Sequence, residues 1–137
     1  MLPDASPPPA VSATPFELLG GEVGVRALVD AFYDRMDLEE AFRGIRKLHH
    51  DTLDGSRDKL AWFLTGWLGG PQRYVERFGH PMLRARHLPF AIANAERDAW
   101  LACMRLALDD VNAPRELVEP LMTAFRGTAD WMRNRNG

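Results

Sequence analysis

The chain has 137 residues, with 17 Lys and Arg against 19 Asp and Glu, for a formal net charge of −2. That length suits one domain, and the near-balanced charge supplies no basic field to attract nucleic acid or an anionic membrane surface. No apolar run approaches the roughly 20 residues of a membrane helix.

The N-terminus has neither a basic n-region nor an apolar h-region, so no secretory signal is expected and the default location is cytoplasmic. Residues 1–15 hold five prolines: Pro3, Pro7, Pro8, Pro9 and Pro15. With few charges and few large apolar groups, they read as a disordered, polyproline-like arm, with residues 16–137 as the folded domain. A docking peptide is the competing reading of the arm.

From Phe16 onward the pattern is helix after helix. Gly20-Gly21 punctuates. Val25, Leu28, Val29, Phe32, Tyr33 and Met36 then recur at three- and four-residue spacing, which predicts an amphipathic helix of about fourteen residues. Leu38 to Ile45 is a short helix, and residues 46–55 form a loop carrying His49 and His50. Asp54 or Ser56 caps the next helix, whose apolar positions are Leu60, Phe63, Leu64, Trp67 and Leu68. Gly69-Gly70-Pro71 stops it. Residues 72–78 make a short helix, and Gly79-His80-Pro81 breaks it.

Asn94 with Glu96 opens a long helix through Trp100, Leu101, Met104 and Leu108. It contains Cys103, the only cysteine, which excludes an internal disulfide and reads as a buried small hydrophobe. Pro114 suits the first turn of the last helix, and Pro120 kinks that helix or delays its start. No strand alternation is present, so the fold class is all-α.

The most informative segment is Met82-Leu83-Arg84-Ala85-Arg86-His87-Leu88-Pro89-Phe90. One imidazole sits at a helix end, and Pro89 forces the backbone out of helix immediately after. Such a residue suits a metal or haem ligand, set against the commoner role of a satisfied core or surface histidine. His49, His50, His80 and His87 lack the cysteine pair or His-x-x-x-His spacing of a zinc site.

Taken in order, several motifs resemble the group II truncated haemoglobins, or 2-on-2 globins. They are Gly20-Gly21, Phe32-Tyr33, Phe63-Leu64 with Trp67-Leu68-Gly69-Gly70-Pro71, Gly79-His80-Pro81, Arg86-His87-Leu88-Pro89-Phe90 and Glu96-Arg97-Asp98-Ala99-Trp100. The likeness runs from about Phe16 to Trp131. It implies a reduced globin, two antiparallel helix pairs sandwiching haem b. His87 matches the proximal iron ligand. Tyr33, His49 and Trp100 match the polar distal residues, with Ser56 and Leu60 on the same side. His50 stands where relatives often have proline, so either His49 or His50 enters the pocket. Lys59 and Arg86 match positions that reach the haem propionates, and Tyr74 is a further donor to one. Leu83, Phe63, Trp67, Phe90 and Ile92 complete the slot, and a carbonyl near Leu83 or Arg84 would fix the His87 tautomer.

The resemblance implies a five-coordinate iron that binds O₂, CO or NO, as a sensor, scavenger or store rather than a bulk transporter. Bound O₂ accumulates negative charge, and each hydrogen bond to a charged acceptor contributes about 1.5–3 kcal/mol. Tyr33, Trp100 and the His49 imidazole are the expected donors. The alternative is an enzyme for NO dioxygenation or peroxidase-like chemistry. It would need a separate reductase, because the chain has no flavin or nicotinamide motif. The assembly expected is a monomer or homodimer.

Overall fold

The computed structural model describes residues 13–136. Up to residue 12 the proline-rich arm lies outside the described residues. Among the described residues there are eight α-helices and no strand. They are α1 (Pro15–Leu18), α2 (Gly21–Leu38), α3 (Arg43–Arg46), α4 (Asp54–Trp67), α5 (Arg73–Phe78), α6 (Leu83–His87), α7 (Asn94–Asp110) and α8 (Arg115–Met132). A 3-10 turn, Glu40–Phe42, leads into α3. Among the described residues no helix is long and apolar enough to cross a membrane.

Helix α1 starts from a reciprocal cap. The Thr14 hydroxyl accepts from Glu17 N at 3.1 Å, and the Glu17 carboxylate accepts from Thr14 N at 2.9 Å. Pro15, the last residue of the proline-rich stretch, is its first helical residue. The Phe16 N–H then donates to the Leu68 carbonyl at 3.0 Å, tying α1 to the end of α4.

Helix α2 is the central element. It runs 18 residues rather than about fourteen, because Gly21 to Gly24 and Asp37-Leu38 continue the helix beyond the apolar stripe. Its buried face is the stripe read from the sequence: Val25, Leu28, Val29, Phe32, Tyr33 and Met36. This face packs against α4 on one side and α7 on the other, while α8 packs on α7. The result is the two-on-two arrangement of helix pairs. Cys103 is fully buried there and its Sγ donates to the Phe32 carbonyl at 3.2 Å. Burial pushes this thiol up to about 12, so it stays protonated.

Two helices end in the same motif with different residues. Gly69 (φ +105°) follows α4, where Gly70 N bonds Thr65 O at 2.8 Å and Gly69 N bonds Gly66 O at 3.1 Å. Asn112 (φ 54°) follows α7, where Ala113 N bonds Leu108 O and Asn112 N bonds Asp109 O, both at 3.0 Å.

Three sequence expectations are corrected here. Neither Asp54 nor Ser56 caps α4. Leu53 takes the cap position without a side-chain bond, and Asp54 is the first helical residue, where its charge favours the positive helix end. Pro114 lies one residue outside α8, as its N-cap. Pro120 does not delay the helix, which is continuous from Arg115 to Met132. The bond that Pro120 cannot make would go to the Glu116 carbonyl, and both residues are exposed, so water can take its place.

Ion pairs lace the rims of the packed helices. Arg57 of α4 reaches Asp30 and Asp34 of α2 at 3.0 and 2.8 Å, and Arg26 returns to Asp58 at 2.8 Å. Arg35 grips Asp110 through two bonds of 2.8 and 2.7 Å. Arg35 holds the Asp110 carboxyl below the usual aspartate range.

Two measurements check these features. A Cβ on Gly24 would overlap the Leu19 carbonyl oxygen, so Gly24→Ala forces the α1–α2 turn apart. It should cost about 1–3 kcal/mol in urea unfolding, and an unchanged midpoint refutes the contact. Because the folded-state pKa of Asp110 is lowered, its contribution is present above the ordinary aspartate pKa and lost as pH falls through the lowered value. Asp110→Asn should therefore unfold more easily than the parent at neutral pH, with the gap closing as pH falls below the ordinary aspartate range. A gap independent of pH would show that the carboxylate charge is not its source.

Candidate functional site

An apolar cavity of about 160 Å³ lies between α3, the α6 segment, α7 and α8. Ile45, Phe90, Ile92, Trp100, Phe125 and Met132 form much of its wall, and His49 and His87 both line it. A second, more polar pocket shares Leu48, His49 and Phe90 with the first. It opens past His50, Thr52, Ser56 and Lys59. Together they make one slot with a greasy interior and a mouth that carries an ammonium group.

His87 is the last residue of α6. Its Nδ1 lies 2.6 Å from the Leu83 carbonyl one turn earlier. A carbonyl only accepts, so Nδ1 carries the proton and donates. In the neutral ring Nε2 is then left with a free lone pair. This is the acceptor position sought in the preceding turn, and it gives Leu83 its role.

Two devices hold the segment. Met82 enters α6 with φ 49°, a left-handed conformation that costs a non-glycine residue on the order of 1–3 kcal/mol. Beyond α6, Asn134 clamps the wall. Its Nδ2 donates to the carbonyls of His87 at 3.2 Å and Phe90 at 2.9 Å. Its Oδ1 accepts from Ile92 N at 3.0 Å, and its own N–H donates to Ile92 O at 2.8 Å.

His49 follows α3, and its Nδ1 lies 2.9 Å from the Ile45 carbonyl. By the same reasoning Nδ1 donates inward to the backbone. Desolvation by burial lowers the pKa of this ring and favours its neutral form. In the neutral ring its Nε2 is then an acceptor. His49 lines both pockets, whereas His50 lines only the outer one and is exposed.

Tyr33 lies behind this surface. It is buried and lines neither pocket, with its ring edge-on to His49 at 5.7 Å and to Phe32 at 5.0 Å. Burial raises its phenol pKa well above the ordinary range, so it stays a donor. The Arg57 guanidinium and the nearby Ser56 hydroxyl oppose that rise. Ser56 itself lines the outer pocket. Leu60 is half-buried against the core and lines neither pocket.

The other slot residues divide. Phe90 and Ile92 line the cavity, and Lys59 lines the mouth. Phe63, Trp67 and Tyr74 form an adjoining aromatic cluster, joined to the cavity wall where Trp67 stacks on Phe125 at 4.9 Å. Arg86 does not face the slot mouth in this arrangement. Its Nε donates to the Pro81 carbonyl at 2.7 Å, and its guanidinium lies 5.9 Å from the Tyr74 ring.

The sequence reading omitted Ile45, Leu48, Phe125, Ala129 and Met132 from the slot. Phe125 and Met132 are visible in the α8 stripe, but nothing in a stripe tells cavity wall from core. Asn134 was also missed, because it follows the last apolar position in a polar tail without periodicity. Glu96 and Arg97 border the cavity with their charges already engaged. Glu96 accepts from Ala93 N at 2.7 Å, and Arg97 binds Asp98 and Asp130 at 2.9 and 2.6 Å.

A flat, largely apolar metal macrocycle suits this donor set: one imidazole with a bare nitrogen, hydrocarbon walls and a cationic mouth. Among the described residues no group of three or more His, Cys, Asp or Glu gathers to hold a metal by itself.

Comparison with known proteins agrees with the geometry. The family model for bacterial-like globins matches residues 14–134. The group 2 truncated hemoglobin YjbI of Bacillus subtilis is 44% identical over 120 residues, covering 88% of each chain. The cold-adapted truncated hemoglobin of Pseudoalteromonas haloplanktis superimposes with a TM-score of 0.86 at 43% identity, over 89% of this chain and 98% of that one. The group II 2-on-2 hemoglobin of Agrobacterium tumefaciens gives 0.87 at 41% identity, over 93% and 98%. The chain belongs to the bacterial-like globins as a group II truncated haemoglobin, a haem protein that binds small gaseous ligands.

Proposed function

We propose that the chain holds haem b through His87 Nε2 and retains O₂, or another diatomic ligand, with Trp100 and Tyr33 as donors. The observation that carries this reading is the 2.6 Å bond from His87 Nδ1 to Leu83, on an imidazole that lines the same cavity as Trp100. Bound there, haem supplies an iron atom with one face open to a small ligand. Its attachment is non-covalent, since the only cysteine is buried against the Phe32 carbonyl.

The residues sort by what they do. The bond to Leu83 keeps the proton of His87 on Nδ1, so Nε2 remains available. Ile45, Phe90, Phe125 and Met132 exclude water and lower the local dielectric, which strengthens any polar contact made inside. The Trp100 indole N–H has no protein acceptor among the described residues, so it is free to donate to a ligand in the cavity. Tyr33 is kept protonated by burial and stands as a second donor behind the His49 ring. His49 presents an acceptor and so does not help to hold a negatively polarised ligand. Lys59, which lines the mouth, would pair with a propionate. This donor set favours retention of O₂ over rapid exchange, as in a store or scavenger. A separate reductase would keep the iron reduced.

An optical test follows. His87→Gly should lose the Soret band on gel filtration and regain it with added imidazole, and unchanged haem retention overturns the proximal assignment. Trp100→Leu should speed O₂ dissociation by about tenfold or more, since one lost donor is worth about 1.5–3 kcal/mol. His49→Leu should not speed it, and a comparable acceleration there would restore His49 to the donor set.

A further inference from the structure

The cavity wall is continuous with a line of aromatic rings that leads to the surface. Trp100 lines the cavity, and its ring lies 5.5 Å from Phe125, the two planes inclined at 64°. Phe125 in turn stacks on Trp67 at 4.9 Å and 23°. Phe125 is buried, whereas Trp67 is 36% exposed. Two indoles, the side chains that most readily give up an electron, thus flank one bridging ring, with one indole at the cavity and the other at the surface.

The line continues as Phe63, Tyr74, Phe78 and Trp62, at 6.4, 6.2, 4.8 and 6.1 Å between successive centroids. Charge decides where an electron vacancy would rest. The Arg86 guanidinium lies 5.9 Å from the Tyr74 ring and that of Arg77 lies 4.3 Å from Trp62. A cation beside a ring raises the cost of removing an electron from it. Among the described residues no lysine or arginine lies over the Trp67 or Trp100 ring. A vacancy formed at the cavity is therefore disfavoured on Tyr74 and Trp62, and of the two indoles without a cation Trp67 is the more exposed.

We propose that Trp67 is a second, surface site, where aromatic one-electron donors of the phenol class too large for the cavity are oxidised by way of Phe125 and Trp100. The proposal rests on the haem reading above, and the oxidant is hydrogen peroxide admitted to the cavity. Reducing one peroxide to two waters breaks its O–O bond and consumes two electrons and two protons. Two phenols each release one electron to Trp67 and one proton to solvent, and each leaves as a phenoxyl radical. The electrons cross to Trp100 and the cavity one at a time, so the balance is one peroxide and two phenols to two waters and two phenoxyl radicals.

The test uses the haem-loaded ferric protein, whose Soret band is confirmed for every variant. One equivalent of hydrogen peroxide is added with a nitroso spin trap, and adducts are located by peptide mass spectrometry. The adduct should fall on Trp67. It should drop about tenfold in Trp100→Phe, equivalent to about 1.4 kcal/mol in the transfer barrier, and persist in Trp62→Phe. A phenol coupled to dextran, which cannot enter the cavity, should be oxidised about tenfold more slowly by Trp67→Phe. Adducts confined to Tyr74 or Trp62, no adduct at all, full labelling in Trp100→Phe, or unchanged turnover of the dextran phenol by Trp67→Phe would each overturn the route. A chain that takes up no haem would overturn both this route and the haem reading.

Discussion

The hydrogen bond from His87 Nδ1 to the Leu83 carbonyl, at 2.6 Å, decides which nitrogen of the ring is available. A free imidazole exchanges between two tautomers, and one of them has a proton on the nitrogen needed for coordination. Fixing the proton on Nδ1 requires a carbonyl one helical turn earlier, hence the short helix α6. A helix of 5 residues has no stability of its own, so tertiary contacts must impose it. Entry through the left-handed Met82, exit at Pro89 and the clamp of Asn134 are what impose it here. Much of the local backbone is thus arranged around one proton.

The rest of the fold supplies a wall against which that imidazole can work. Phe32 and Phe125 both pack against Trp100, with centroids 5.2 Å and 5.5 Å away. Phe32 belongs wholly to the core, whereas Trp100 and Phe125 face both core and cavity. The cavity is therefore not a defect in packing. Its far wall is the outer surface of the helix pairs themselves, and it is as rigid as they are. Backbone carbonyls one turn earlier orient the two imidazoles of this wall, Leu83 for His87 and Ile45 for His49, and the Trp100 indole stands beside them without a protein partner among the described residues.

The helices and the apolar face of α2 were legible because periodicity and punctuation record burial directly. Residues from Val25 to Met36 on one stripe face the core as their spacing requires. His87 was legible for another reason: a lone histidine before Leu88-Pro89 has an unusual backbone context. Caps were less legible. At Leu53 the tertiary setting holds the helix start, so the Asp and Ser that sequence preference would choose are not used. The direction of each polar side chain was not legible at all. His49 was recognisable as a pocket residue, but its tautomer depends on the Ile45 carbonyl four residues away, within one turn of irregular helix. Arg86 looked like a free cation and instead binds the Pro81 carbonyl, a loop contact that no pattern encodes. Asn134 was invisible because its partners lie more than 40 residues away.

That asparagine also alters how the protein would come apart. Its side chain satisfies backbone groups of residues 87–92 in the manner of a missing strand, so the segment after α6 leans on the end of α8. Arg84 adds to this by donating to the carbonyls of Trp131 and Arg133, both at 3.2 Å. The two regions are thus bonded to each other despite their separation in sequence. Fraying of the last turn of α8, ordinarily the least costly motion a helix makes, would here release the wall that carries the imidazole. The cavity wall would then open locally at this end of the molecule, well before the core around Phe32 is exposed.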